Sequence, residues 1–141
     1  MSTQRTIITN ALRVGKDIKA ALTASEELSA AVGTRIWPIL YDSDGDPEYP
    51  YITYGRNAFN VEKDKDGSRA PVGVGVTIDV NARTYGEIPE LCDLVHLAVT
   101  AYIASGASPI RDYKLQVGED QYIDGDHCHC VSLTYTFDIN Y

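Results

Sequence analysis

Cysteine is scarce in this chain: Cys92, Cys128 and Cys130 are the three among 141 residues. Three cannot build a disulfide framework, and no two stand in the C-x-x-C spacing of a metal or redox site. No apolar run approaches the roughly 18 residues that a membrane-crossing helix needs. The opening stretch MSTQRTIITNALRVGKD is broken by charged and polar residues, so it lacks the apolar region of a secretory signal. A soluble chain made in the cytoplasm, with no membrane partner, is the expectation. Also missing are a nucleophile elbow, a phosphate-binding Walker loop and a dinucleotide fingerprint. The GVGV at Gly73–Val76 opens a strand pattern and precedes no helix. No catalytic residue and no cofactor are therefore assigned.

Positive charge is in short supply as well. Twelve basic residues against twenty acidic ones give a net charge of −8. The imbalance is uneven: residues 1–35 are net +2, and residues 72–141 are net −7. A protein that grips nucleic acid needs the opposite sign to neutralise phosphates, so sequence-independent DNA binding is disfavoured.

What is present is pattern. From Thr6 to Thr23, Ile8, Ala11, Leu12, Gly15, Ile18 and Leu22 fall on one stripe of a helix, with Arg13, Lys16 and Lys19 on its flanks. Ser25 caps a second, short helix whose first turn carries Glu26 and Glu27, and Gly33 ends it. TRIWPILY (Thr34–Tyr41) is strand-like, but Pro38 confines it to an edge or a bend. Tyr49–Arg56 and Val72–Arg83 are strands, the second alternating without error: Val74, Val76, Ile78, Val80 and Ala82 face one way. Glu87–Ser105 is a helix of about five turns with Ile88, Leu91, Val95, Val99 and Tyr102 as its stripe. Tyr113–Ile123 is a strand or hairpin arm. The last strand puts Val131, Leu133, Tyr135, Phe137 and Ile139 inward. This order predicts a single α+β domain over residues 1–141, with a mostly antiparallel sheet of about five strands and helices packed on one face.

Two stretches invite a metal. DSDGDP (Asp42–Pro47) fails as a calcium loop, because the position that needs glycine is Pro47 and the position that needs glutamate is Thr53. In HCHC, strand alternation puts His127 and His129 on the Val131 face and Cys128 and Cys130 on the Ser132 face. A mixed zinc site from Cys92, His96 and the His127–Cys130 cluster, for example Cys92, His96, Cys128 and Cys130, is the alternative, and would make the chain a zinc-binding adaptor or regulatory module. Cysteine is commonly a small core residue, and that reading is preferred, so no metal ligand is assigned. Cys92 and His96, four apart on one helix, are the sole candidate dyad for an enzyme, with no third group to orient them.

A resemblance carries further. AAVGTRIWPILYDSDGDPEYPYITYG (Ala30–Gly55) followed by VTIDVNARTYGEIPELCDLVHLAV (Val76–Val99) resembles the tail-completion, or tail-terminator, proteins of long-tailed phages. Gly33, Arg35, Ile36, Trp37 and Pro38 match one element of that pattern. Pro50, Tyr51, Ile52 and Tyr54 match the next, and Ile78, Asp79, Val80, Ala82, Arg83 and Tyr85 the third. The resemblance implies a structural virion or prophage protein without catalytic residues. It implies a ring of copies, typically a hexamer, seated on the last ring of the tail tube. Such a ring ends tube growth and presents the head–tail joining surface to the head connector. A head-closure protein is the nearest competitor. The protein would be made in the host cytoplasm and end in the virion, with DNA passing through the ring unbound. The acidic balance suits a bore along which DNA slides.

Outside the pattern lies Asn60–Pro71, polar and net neutral, longer than a hairpin needs. Its Glu62, Lys63, Asp64, Lys65, Asp66 and Arg69 are too polar to pack a core. The expectation is a loop that is loose in the isolated chain and reaches a neighbouring subunit or the tube, its mixed charges setting register.

Overall fold

A computed structural model describes residues 11–39, 48–58 and 72–139. The chain order is α1 (Val14–Ala24), α2 (Glu26–Val32), β1 (Ile36–Pro38), β2 (Tyr51–Arg56), β3 (Val72–Ala82), α3 (Glu87–Ala104), β4 (Ile110–Val117), β5 (Gln121–Ile123) and β6 (Cys128–Ile139). The fold is α+β, and the sheet is mostly antiparallel with the order β1-β2-β3-β6-β4. β1 alone runs parallel to its neighbour, placing Ile36 beside Ile52. β5 pairs the start of β6 on the edge that β4 pairs further along.

Among the described residues the sheet has six strands, one more than the five or so expected, because the arm from Ile110 to Ile123 is interrupted. Val117 lies opposite Leu133 and Gln121 opposite Cys130. The arm thus advances four residues while β6 advances three, and the surplus residue bulges out of the ladder. Gly118 sits at this point, donating to Ser132 O at 2.8 Å, and a Cβ there would come within 3.2 Å of that same oxygen.

One aliphatic core lies between the sheet and the helices. Val74, Val76, Ile78, Val80 and Ala82 of β3 are fully buried, as are Tyr135, Phe137 and Ile139 of β6. Against them pack Ile18 and Leu22 of α1, Leu28 and Val32 of α2, and Leu91, Val95 and Val99 of α3. The alternation in β3 and β6 is therefore the core-forming signal it was taken for.

The buried stripe of α1 differs from expectation. Val14 and Ala21 are in it, whereas Leu12 is 52% exposed and Gly15 only partly covered. Helical phase explains the exchange: Val14 lies beside Ala11, Ile18 and Ala21 on one line, and Leu12 lies well over a third of a turn away. Ile8, placed on the same stripe, is outside the described residues. Lys19 turns from the flank toward the sheet edge, donating from Nζ to Ile36 O at 2.8 Å. That carbonyl points away from β2, so the lysine caps the open side of β1, a common way to blunt a sheet edge.

The remaining ends follow their sequence signals. Leu28 N donates to Ser25 Oγ at 3.1 Å, the cap expected of α2. Gly33 closes the same helix at φ +60°, a conformation that costs glycine nothing. β1 stops at Pro38. Tyr102, assigned to the α3 stripe, is only partly buried, and Ala98 takes part in its place.

Candidate functional site

The three sequence elements that carry the resemblance, far apart in the chain, meet at one end of the sheet. Arg35 joins the first two. Its Nε donates to Pro50 O at 2.9 Å, and a second guanidinium nitrogen donates to Ala31 O at 3.4 Å. The Arg35–Glu48 ion pair at 3.5 Å adds little, because Glu48 is 83% exposed. The guanidinium thus ties the end of α2 to the entry of β2. The Tyr49–Pro50 peptide there is cis.

Beyond this tie the rings cluster on the face of the sheet that none of the described helices covers. Trp37 and Tyr51 have centroids 5.8 Å apart, and Tyr49 and Tyr51 5.1 Å. Arg83, at the end of β3, lays its guanidinium 4.2 Å from the Tyr49 ring centroid. It also donates to Asp126 O at 3.0 Å, gripping the turn before β6. Burial, and a hydrogen bond with Cys128, push the Tyr49 phenol well above its ordinary range. Register puts Tyr51 beside Asn81 and Asn81 beside Cys130. Asn81, Cys128 and Cys130 are accordingly buried on a face with none of the described helices over it.

The rest of that face is open and polar. Thr77, Thr134 and Thr136 lie side by side with Gly73 and Gly75 across β3 and β6. Asn57 packs on Gly75, where a Cβ would sit 2.8 Å from its amide nitrogen, and Asn57 N donates to Gly75 O at 2.7 Å. Ser132 Oγ donates to Asp79 Oδ1 at 2.5 Å. The result is a surface of hydroxyls and amides that also carries Asp79 and Asp138, with Asp112 and Lys114 beside them on β4.

The residues weighed as metal ligands are dispersed. β6 begins at Cys128, so His127 belongs to the turn, with φ +51°, rather than to the strand face first given it. Its Nδ1 lies 3.3 Å from Tyr122 OH, and His129 packs between the rings of Tyr85 and Tyr122. Cys128 and Cys130 are on the opposite face. Among the described residues no group of three or more His, Cys, Asp or Glu is placed to hold a metal ion. His96 has a structural partner that sequence reasoning missed: its Nδ1 lies 2.8 Å from the hydroxyl of Tyr135, a phenol buried in the core. Burial raises the Tyr135 phenol above its ordinary range. The inward alternation of Tyr135 was the sole sequence hint at this pair.

Cys92 lies with His96 on the wall of an open groove of about 370 Å³ between α3 and the β4–β6 edge. Burial pushes the Cys92 thiol up to about 11, with Asp93 and Asp120 adding to the shift. A nucleophilic cysteine needs the reverse, a thiol lowered by nearby positive charge. The groove floor is Ile88, Leu115 and Leu133, and Asp93 and Asp120 stand on its rim.

Glu62, Lys63, Asp64, Lys65, Asp66 and Arg69, the residues expected to contact a neighbour, lie outside the described residues, as does the Asp42–Pro47 stretch.

Comparison with known proteins agrees with the motif reading. A family model, tail completion protein gp17, matches residues 16–117, a stretch that contains all three sequence elements. A search of curated proteins returns no match. Among solved structures, a chain from the virion of a native gene transfer agent (GTA) particle shares the fold, with a TM-score of 0.60 at 14% identity. The match covers 86% of this chain and 90% of that one.

Proposed function

The chain belongs to the tail completion protein gp17 family, and from that premise we propose that it is the ring that closes the tail tube. In this reading several copies, six by the usual symmetry of tails, sit on the last ring of the tube. They end its growth and offer the head connector a joining surface. The partners are the chain itself, the tail tube protein and the head connector. The site of action is the virion neck, reached after assembly in the host cytoplasm. The protein acts by shape and needs no cofactor.

The observation that carries the proposal is the family match, which spans the three elements that Arg35, Tyr49 and Arg83 lock together. The similarity in fold to a virion chain supports it. So does the polar sheet face, whose threonines, glycines and acidic Asp79, Asp112 and Asp138 suit a lumen wall or a subunit contact. An acidic chain around passing DNA lowers sticking. The Glu62–Arg69 charges are proposed as the contact to the neighbouring subunit or the tube.

The test is genetic. A phage lacking this protein should make filled heads and tail tubes of abnormal length that fail to join, and supplying the protein should restore joined particles. Deleting Lys63–Ser68 should leave the chain folded, since shortening the connection between two strands costs little, and should abolish joining. Normal-length tails joined to heads in the knockout would reject the assignment. Normal titre from the loop deletion would reject the role of those charges alone.

A further inference from the structure

The two flanks of the molecule differ in charge and shape in a complementary way. On one flank α1 passes over the β1 edge. Lys19 reaches Ile36 O there, so the side of α1 bearing Lys19 faces that edge. Leu12, 52% exposed, lies just ahead of α1, and the helical backbone at Arg13 keeps it on the same side as the exposed Lys16, four residues on. An apolar knob with a cation beside it is thus presented outward. On the opposite flank, where β4 ends the sheet, lies the groove between α3 and the β4–β6 edge. Its floor is aliphatic, its outer lip is Val117 at 60% exposure, and Asp93 and Asp120 make its rim acidic. Leu12 is the knob the groove lacks, and Lys16 is the counter-charge its rim lacks.

We propose that the groove is a docking slot for α1 of a second copy of this chain, Leu12 entering between Ile88 and Leu115 and Lys16 meeting Asp93. The inference rests on the ring reading above and adds the surfaces that meet. Knob and slot lie on opposite flanks, so the contact is head-to-tail: each copy gives a knob to one neighbour and takes one from the other. Contacts of that kind close into rings when the rotation between copies allows. Lys19 capping the outward carbonyl of β1 disfavours the competing arrangement, strand pairing across that edge. Opposite charges beside an apolar anchor give register and a faster encounter.

Sedimentation of the full-length chain, alone and mixed with tail tubes, tests this with four proteins: the wild type, Leu12→Asp, Lys16→Glu, and the double variant Lys16→Glu/Asp93→Lys. All the altered side chains are exposed, so the fold should survive, and circular dichroism checks that it does. Leu12→Asp and Lys16→Glu should each raise the concentration needed for assembly about tenfold or more. The double variant should recover most of the loss, since the swapped pair meets again between neighbours. A second readout uses the native Cys92 in the groove wall. Under mild oxidation Leu12→Cys should yield a ladder of disulfide-linked oligomers on a denaturing gel. If the wild type assembles while the single variants assemble as well as it does and no ladder forms, the contact is wrong and the ring stands. If the wild type remains monomeric both alone and on tubes, the ring reading falls and takes the contact with it.

Discussion

The two faces of the sheet bury residues by different means. Under the helices, every inward side chain described in β3 and β6 is aliphatic or aromatic, and each is 4% exposed or less from Val74 to Ala82 and from Val131 to Ile139. On the other face none of the described helices lies, yet Cys128 is fully buried and Thr53, Asn81 and Cys130 are 7% exposed or less. Their cover is Tyr49, Tyr51 and Arg83, held by Arg35 and the Asp126 turn. The first face is shaped by area removed from water, the second by a few directional contacts. The first should tolerate almost no truncation. The second should tolerate change except at its ties, and its open end should tolerate it freely.

Phe137→Ala attacks the first face and should cost about 3–5 kcal/mol of stability in chemical denaturation, as large-to-small core changes do. Its strand neighbour Thr136 is exposed, and Thr136→Ala should cost under about 1 kcal/mol. Equal costs would mean the two faces are not different environments. Arg35→Ala attacks a tie on the second face. Losing charge-assisted hydrogen bonds to Pro50 O and Ala31 O should cost about 2 kcal/mol. A loss near zero would make the tie ornamental, and the aromatic cluster would need another support.

The cysteines give a smaller, pH-dependent effect. Burial raises Cys92 and Cys130 from the ordinary 9.0 to about 11 each. Both thiols then hold their protons more tightly folded than unfolded. Their share of stability is intact below pH 9 and is lost as the pH climbs through about 11. Replacing both with alanine should flatten that alkaline decline in thermal melts, and an unchanged decline would contradict the burial argument. The smallest expected effect is that of chelation. With His129 and the two β6 cysteines on opposite faces, the purified protein should carry under about one zinc per ten chains, and chelator should leave its melting temperature unchanged. Stoichiometric zinc with a drop in melting temperature on chelation would contradict this.

What could be read from the sequence divides along the same line. Strict alternation in Val74–Ala82 and Val131–Ile139, and the period of Ile88, Leu91, Val95 and Val99, gave the covered face and its longest helix directly. The ends marked by Ser25, Gly33 and Pro38 were equally legible, because capping and ring constraints are local. In α1 the stripe was misphased, since Leu12 and Gly15 fit a helical line nearly as well as Val14 and Ala21. Only the sheet's position chooses between them. The bulge near Gly118 left no period to read in the polar run of Glu119, Asp120 and Gln121. The aromatic cover on the second face was illegible for a different reason. It needs the register that sets Tyr51 beside Asn81 and Asn81 beside Cys130, which no single segment encodes. The groove is likewise a gap between elements, visible only once α3 and β4 are placed.

The central claim is that this chain closes a tail tube. It is tested most directly by adding the purified protein to polymerising tail tube protein and imaging the products by electron microscopy. The account predicts tubes that stop growing as the protein is added, each carrying a ring of density with six-fold symmetry at one end. Tubes that keep the same length distribution, with bare ends at saturating protein, would contradict it.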